Sequence, residues 1–192
     1  MHGLVNKAIQ AFVIGAHGPD AWDAVATQAG VTPDGIEAFA QYDDALTERL
    51  LSAAMAHLNT SRDAILEDTG AFLVSGPSSE ALRRLLRFGG QDFRDFLFSL
   101  DDLRDRARLA VDDLDLPVLH LHSAGPNSFV LDCGWTIPGC AALVVGVLRA
   151  MADDYGVLAM MDFSDTRPDA IEITLFDDAH SAGREFELAV VR

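Results

Sequence analysis

The sequence predicts an α+β fold, on three observations. Apolar residues recur three or four apart from the N-terminus to about residue 111, the spacing of one helix face after another. From Pro117 the period drops to two in "PVLHLHS" and "SFVLDC", the signature of half-buried strands. A helical stretch, "GCAALVVGVLRAMADDYG", then precedes three more strand-like segments, "VLAMMDF", "AIEITLF" and "EFELAVV". A run of helices followed by a mostly antiparallel sheet with a helix places the boundary near residue 112. The expected division is a helical N-terminal subdomain, 1–112, and an α/β C-terminal subdomain, 113–192, together forming one domain.

The elements follow in order. Residues 2–14 carry Leu4, Ile9, Phe12 and Val13 on one broad helical face, and Gly15 and Gly18 are expected to break that helix. "PDAWDAVATQAG" opens on Pro19, suited to a first turn, and closes on Gly30, suited to a C-cap. Residues 43–58 form a strongly amphipathic helix, and "TSRDAILEDTGAFLV" starts another with Thr60 or Ser61 as cap. "SSEALRRLLRFGG" is capped by Ser78 or Ser79 and stopped at Gly89-Gly90. A long helix covers roughly 91–111. Pro126-Asn127 marks the turn of a hairpin between the first two strands, and Gly156 ends the last helix.

In the 91–111 helix, Phe93, Phe96, Leu97, Leu100, Leu103, Ala107, Ala110 and Val111 mark the inward face, and Arg104 lies on it. Arginine cannot shed its charge. Either its stem is packed with the head in water, paired with Asp101, or it projects inward against a protein carboxylate such as Asp43 or Asp44, or against an anionic ligand.

Composition narrows the partners. The chain of 192 residues is 49% hydrophobic, with a formal net charge of −16 and a pI near 4.4. Such a surface disfavours nucleic acid and anionic membrane, both of which need basic patches. Two cysteines are too few for a disulfide framework, the N-terminus lacks signal-peptide architecture, and no run reaches transmembrane length. A soluble cytoplasmic protein is expected.

Other chemistry-bearing residues read more simply. His120 and His122 alternate on one strand face, with Leu119 and Leu121 turned to the core; a metal would need a third ligand that no spacing supplies. Cys133 and Cys140 flank "GWTIPG" and are expected to be buried thiols, with a redox switch or thiolate ligand as the alternative. The pairs Asp43-Asp44, Asp112-Asp113 and Asp153-Asp154 are expected on solvated faces. No nucleophile elbow, phosphate loop or dinucleotide fingerprint occurs.

Taken together, "MHGLVNKAI" from the first residue, "GPDAWDAV", "DFRDFLFSLDDL" and "CAALVVGVLRAMA" resemble the H-NOX, or heme-NO-binding (HNOB), family over nearly the whole chain. That family includes the sensor domain of the soluble guanylate cyclase beta subunit and stand-alone bacterial sensors of nitric oxide. The resemblance implies a heme b held between the helical and α/β parts. It implies an iron-ligating histidine in Leu-Asp-x-Leu-His, and propionates held by Tyr-x-Ser-x-Arg. Here the first motif reads Leu100-Asp101-Asp102-Leu103-Arg104, with Arg104 at the ligand position. The second reads Cys133, Trp135 and Ile137 at its three polar positions. Val5 and Pro117 match pocket-wall positions. A guanidinium has no lone pair for iron. The resemblance thus implies a stand-alone, non-enzymatic regulatory domain in signalling, partnered by a histidine kinase or cyclase and degenerate in conventional heme binding. The alternatives are a gas sensor with an unusual iron ligand, Cys133 or a histidine, and a module for another small anionic ligand. The cofactor is accordingly heme b or none.

Overall fold

The first helical pattern folds as α1, Gly3–His17, in a computed structural model that describes residues 3–77, 79–109, 115–167 and 169–176. Val5, Ile9, Phe12 and Val13 are buried along it. Gly15, expected to end this helix, lies inside it. A Cβ there would stand 2.3 Å from the Phe72 ring, so the glycine serves close approach. The break falls at Gly18, whose φ of 90° suits glycine. Pro19 opens α2, Pro19–Ala29, and Gly30 closes it in the left-handed conformation, its N–H donating to the Ala26 and Thr27 carbonyls.

Helix α3, Asp44–Leu58, is capped by the Asp43 carboxylate, which accepts from the Ala45 N–H. Ser61 does the same for α4, Arg62–Ser75, by accepting from Ala64. In α5, Glu80–Arg87, the expected cap is corrected. The Ser79 hydroxyl donates backward to the Val74 and Gly76 carbonyls and accepts nothing from the helix, while Ser78 lies outside the described residues.

The long helix expected over 91–111 is broken. It runs as α6, Phe93–Phe98, then a 3-10 turn, Ser99–Asp102, then α7, Leu103–Arg108. One local and one tertiary hydrogen bond favour the tighter turn. The Ser99 hydroxyl donates to the Phe96 carbonyl, and the Asp101 carboxylate accepts the backbone N–H of Leu121 at 2.9 Å. Ala110 and Val111, the end of the predicted stripe, lie outside the described residues, as does the boundary near 112.

Strands β1, Val118–Ser123, and β2, Ser128–Gly134, form the expected hairpin. Arg94 of α6 fastens its turn by donating to the Pro126 carbonyl and Asn127 Oδ1. Helix α8, Cys140–Tyr155, ends at left-handed Gly156. Strands β3, Leu158–Phe163, and β4, Ala170–Phe176, complete a four-stranded antiparallel sheet in the order β1-β2-β4-β3. The segment "EFELAVV" lies outside the described residues.

Two apolar cores result. One gathers Ile9, Val13, Trp22, Leu50 and Ile65 from α1 to α4. The other sets Phe93, Phe96, Leu97 and Leu100 with Leu148 of α8 against Leu131, Ile171 and Ile173 of the sheet. Helices α4 and α8 belong to both: Ile65 and Ala142 face the first core, Val74 and Val145 the second. They cross backbone to backbone. A Cβ on Gly70 would lie 2.0 Å from the Leu143 carbonyl oxygen, and one on Gly146 would lie 1.9 Å from that of Glu67.

Candidate functional site

Arg104 sits on the first turn of α7. Its inward phase is real but partial: the side chain is 30% exposed, while Leu97, Leu100 and Ala107 on the same stripe are buried. Nη2 donates to Asp115 Oδ1 at 3.0 Å. Of the carboxylates expected as partners, Asp101 and Asp43 are engaged on the Leu121 and Ala45 N–H groups, and Asp44 stands exposed at the start of α3. Asp115 was not legible as the partner. It lies eleven residues beyond Arg104, outside any helical spacing, in the stretch just before β1.

The other oxygen of Asp115 accepts the indole N–H of Trp135 at 3.2 Å. One carboxylate therefore binds two of the residues the sequence singled out. Trp135 stands between β2 and α8, half-buried, and packs against both cores. Ile137, two residues on, is buried in the helical core together with Val5. Cys133, at the end of β2, belongs to the sheet core instead. The structure thus brings Val5, Trp135 and Ile137 to one core, joins Arg104 to Trp135 through Asp115, and turns Cys133 away.

Neither thiol is poised for reaction. Burial pushes the Cys133 thiol far above its ordinary range, with Cys140 and Asp169 adding to the effect. Burial, then Asp169, pushes Cys140 up to about 11. Both sulfurs rest 3.9 Å from carbonyl oxygens, Cys133 on Leu131 and Cys140 on Cys133. The thiolate is the form that ligates iron or attacks a disulfide, and this environment suppresses it.

His120 and His122 lie on the exposed sheet face, with Leu119 buried behind them. His122 Nε2 meets Asp132 Oδ2 at 2.9 Å, and Arg167 binds the same carboxylate. Among the described residues no three His, Cys, Asp or Glu side chains group to hold a metal ion. One acidic pair needs correction: Asp154, expected in solvent, is buried against Arg83 and Arg87 at 3.7 and 3.6 Å. The Arg87 guanidinium also stacks on the Tyr155 ring, 3.9 Å from its centroid. A groove lined by Arg87, Phe88, Gly89, Gly90, Phe98 and Ser99 opens beside this cluster, away from the residues that the sequence singled out.

A helical half joined to a four-stranded antiparallel sheet through two crossing helices is the H-NOX fold. The structure superposes on the unliganded Fe(II) H-NOX protein from K. algicida with a TM-score of 0.78 at 17% identity, covering 94% of this chain and 99% of that one. An H-NOX protein from S. oneidensis in the Fe(II)NO state gives 0.77 at 15% identity, covering 92% and 100%. The Haem-NO-binding (HNOB) family model matches residues 2–160, and the chain belongs to that family. It is 24% identical over 154 residues to the soluble guanylate cyclase gcy-31 of Caenorhabditis elegans, a match covering 80% of this chain and 22% of that protein. The chain therefore spans about a fifth of that relative's length.

Proposed function

We propose that this chain is a non-catalytic regulatory domain of the H-NOX family that works without a conventional histidine-ligated heme. The division into 1–112 and 113–192 is then its working division, and its output passes to a cytoplasmic signalling protein such as a histidine kinase or cyclase. The supporting observation is the Arg104–Asp115–Trp135 cluster, which occupies positions that the family resemblance assigns to the iron ligand and the propionate motif. The residues present do not fit heme b. A guanidinium offers iron no lone pair. At the propionate positions stand a buried thiol, an indole whose N–H is committed to Asp115, and a core isoleucine. Trp135 and Ile137 instead pack as core side chains, which removes the stability cost of an empty apolar cavity.

The test is the absorption spectrum of the protein expressed with ample heme precursor. No stoichiometric Soret band is expected. A full-occupancy heme in the purified protein would overturn the reading. Arg104→His alone should restore heme poorly, because Cys133, Trp135 and Ile137 still offer the propionates nothing.

A further inference from the structure

A groove of about 780 Å³ lies between the end of α5 and α6. Two aromatic rings in its lining stand in solvent: Phe88 is 82% exposed and Phe98 53%. Its floor is fixed. The Tyr155 hydroxyl donates to the Gly90 carbonyl at 3.0 Å, and a Cβ on Gly89 would lie 2.2 Å from Ser99 Oγ. A preformed concave site flanked by uncovered apolar surface has the form of a docking groove. Its charge sets it apart from the rest of the chain. Residues 83–108 hold seven arginines against five aspartates, a net of +2 in a chain of −16. Arg87 lines the groove, and Arg106 reaches its edge by donating to the Ser99 carbonyl and hydroxyl.

The chain itself carries a segment of matching chemistry. Beyond Phe176, residues 185–191 read "EFELAVV". In an extended chain Glu185 and Glu187 fall on one side, Phe186 and Leu188 on the other. Strand β4 ends on the groove's side of the molecule. The Leu175 N–H donates to the Asn127 carbonyl at 2.8 Å, and Arg94 of α6 holds the Asn127 side chain at 2.6 Å. From there residues 177–184 reach up to about 28 Å at full extension. The sheet offers the segment less. β4 is flanked by β2 and β3, and each outer strand spends a backbone group on a side chain, the Leu121 N–H on Asp101 and the Met161 carbonyl on Arg149. We propose that residues 185–191 dock in this groove, with Phe186 and Leu188 against Phe88 and Phe98 and the two glutamates toward Arg87 and Arg106. The inference goes beyond the regulatory reading above and holds whether or not the chain binds heme.

Engineered cysteines in the full chain test this. Gln91→Cys puts a thiol in the exposed lining of the groove, and Ala189→Cys puts one in the segment. Gln28→Cys, exposed on α2, replaces Gln91→Cys in the control pair. The natural thiols, Cys133 and Cys140, are buried and do not compete. Under copper–phenanthroline oxidation the 91–189 pair should close an intramolecular disulfide about tenfold faster or more than the 28–189 pair, because docking raises the effective concentration. Adding Phe88→Asp, Phe186→Asp, or Glu185→Lys together with Glu187→Lys should bring that rate down to the control's. The changes at 185–187 lie outside the described residues, so they decide the matter even if the change at 88 perturbs folding. Equal rates for the two pairs overturn the proposal, as does a fast 91–189 pair that ignores Phe186→Asp. Disulfide-linked dimers in place of intramolecular closure overturn it too, and give the groove to a second copy of the chain.

Discussion

Trp135 does two jobs with one side chain: its ring packs on both cores and its N–H holds Asp115. Truncating it removes apolar contact from both cores at once. Trp135→Ala should therefore destabilise by about 3 kcal/mol, toward the lower end of aromatic-to-alanine losses because the ring is only half-buried. Urea unfolding measures this, and a loss below about 1 kcal/mol would mean that the ring behaves as a surface group. Cys140 supplies a second residue-level effect. Its thiol ionises near 9.0 when unfolded and at about 11 when buried in the fold. The raised folded value means that the folded chain keeps its proton while the unfolded chain loses it. The stabilisation is thus complete below pH 9 and drains away as pH rises toward 11. Cys133 and Tyr155, pushed up chiefly by burial, act in the same direction. Unfolding free energies at pH 8, 9.5 and 11 should fall in that order, and Cys140→Ala should flatten the fall; an unchanged slope would show that this thiol carries none of it.

Between elements, the crossing of α4 and α8 is decided by two glycines. In an exposed helix, glycine to alanine stabilises by up to about 1 kcal/mol through helix propensity. At Gly146 a Cβ would meet the Glu67 carbonyl oxygen at 1.9 Å, so backbone must move. Gly146→Ala is expected to cost about 2 kcal/mol, within the range for overpacking. The sign of the change in a thermal or urea melt is the test, since a stabilised variant is incompatible with this contact. The same contrast between local and long-range causes explains what could be read from the sequence. Helix starts at Pro19 and Ser61, stops at Gly30 and Gly156, and the β1–β2 hairpin rest on side chains acting within a few residues, and each stands where expected. The 3-10 break at 99–102 depends on Asp101 reaching the Leu121 N–H, twenty residues away. Gly15 looked like a helix breaker because the Phe72 ring against it was invisible. Arg104 was legible as an inward charge, yet Asp115 was not legible as its partner, because the pair spans eleven residues and follows no helical spacing. Asp154 was misread for a related reason: Arg83 and Arg87 bury it from another helix.

For the whole molecule, the question is whether two cores make one cooperative unit. Separate cores would be free to melt separately, and each would then be a small, weakly stabilised cluster. Three features bind them here. Helices α4 and α8 contribute buried residues to both, their backbones touch at Gly70 and Gly146, and Trp135 packs on each core. Unfolding either core exposes side chains of a helix that the other needs, so partial unfolding forfeits contacts on both sides. A single two-state transition is therefore expected. The two tryptophans make this measurable. In Trp135→Phe the remaining indole is Trp22, buried in the helical core with its N–H on the Pro33 carbonyl at 2.9 Å. Its fluorescence reports that core alone, whereas far-UV circular dichroism reports helices from both. The two urea curves should share a midpoint to within about 0.2 M, as coincident probes do in two-state unfolding. If Trp22 reports its transition at lower urea while helical signal persists, the helical core melts alone and the shared helices do not couple the halves.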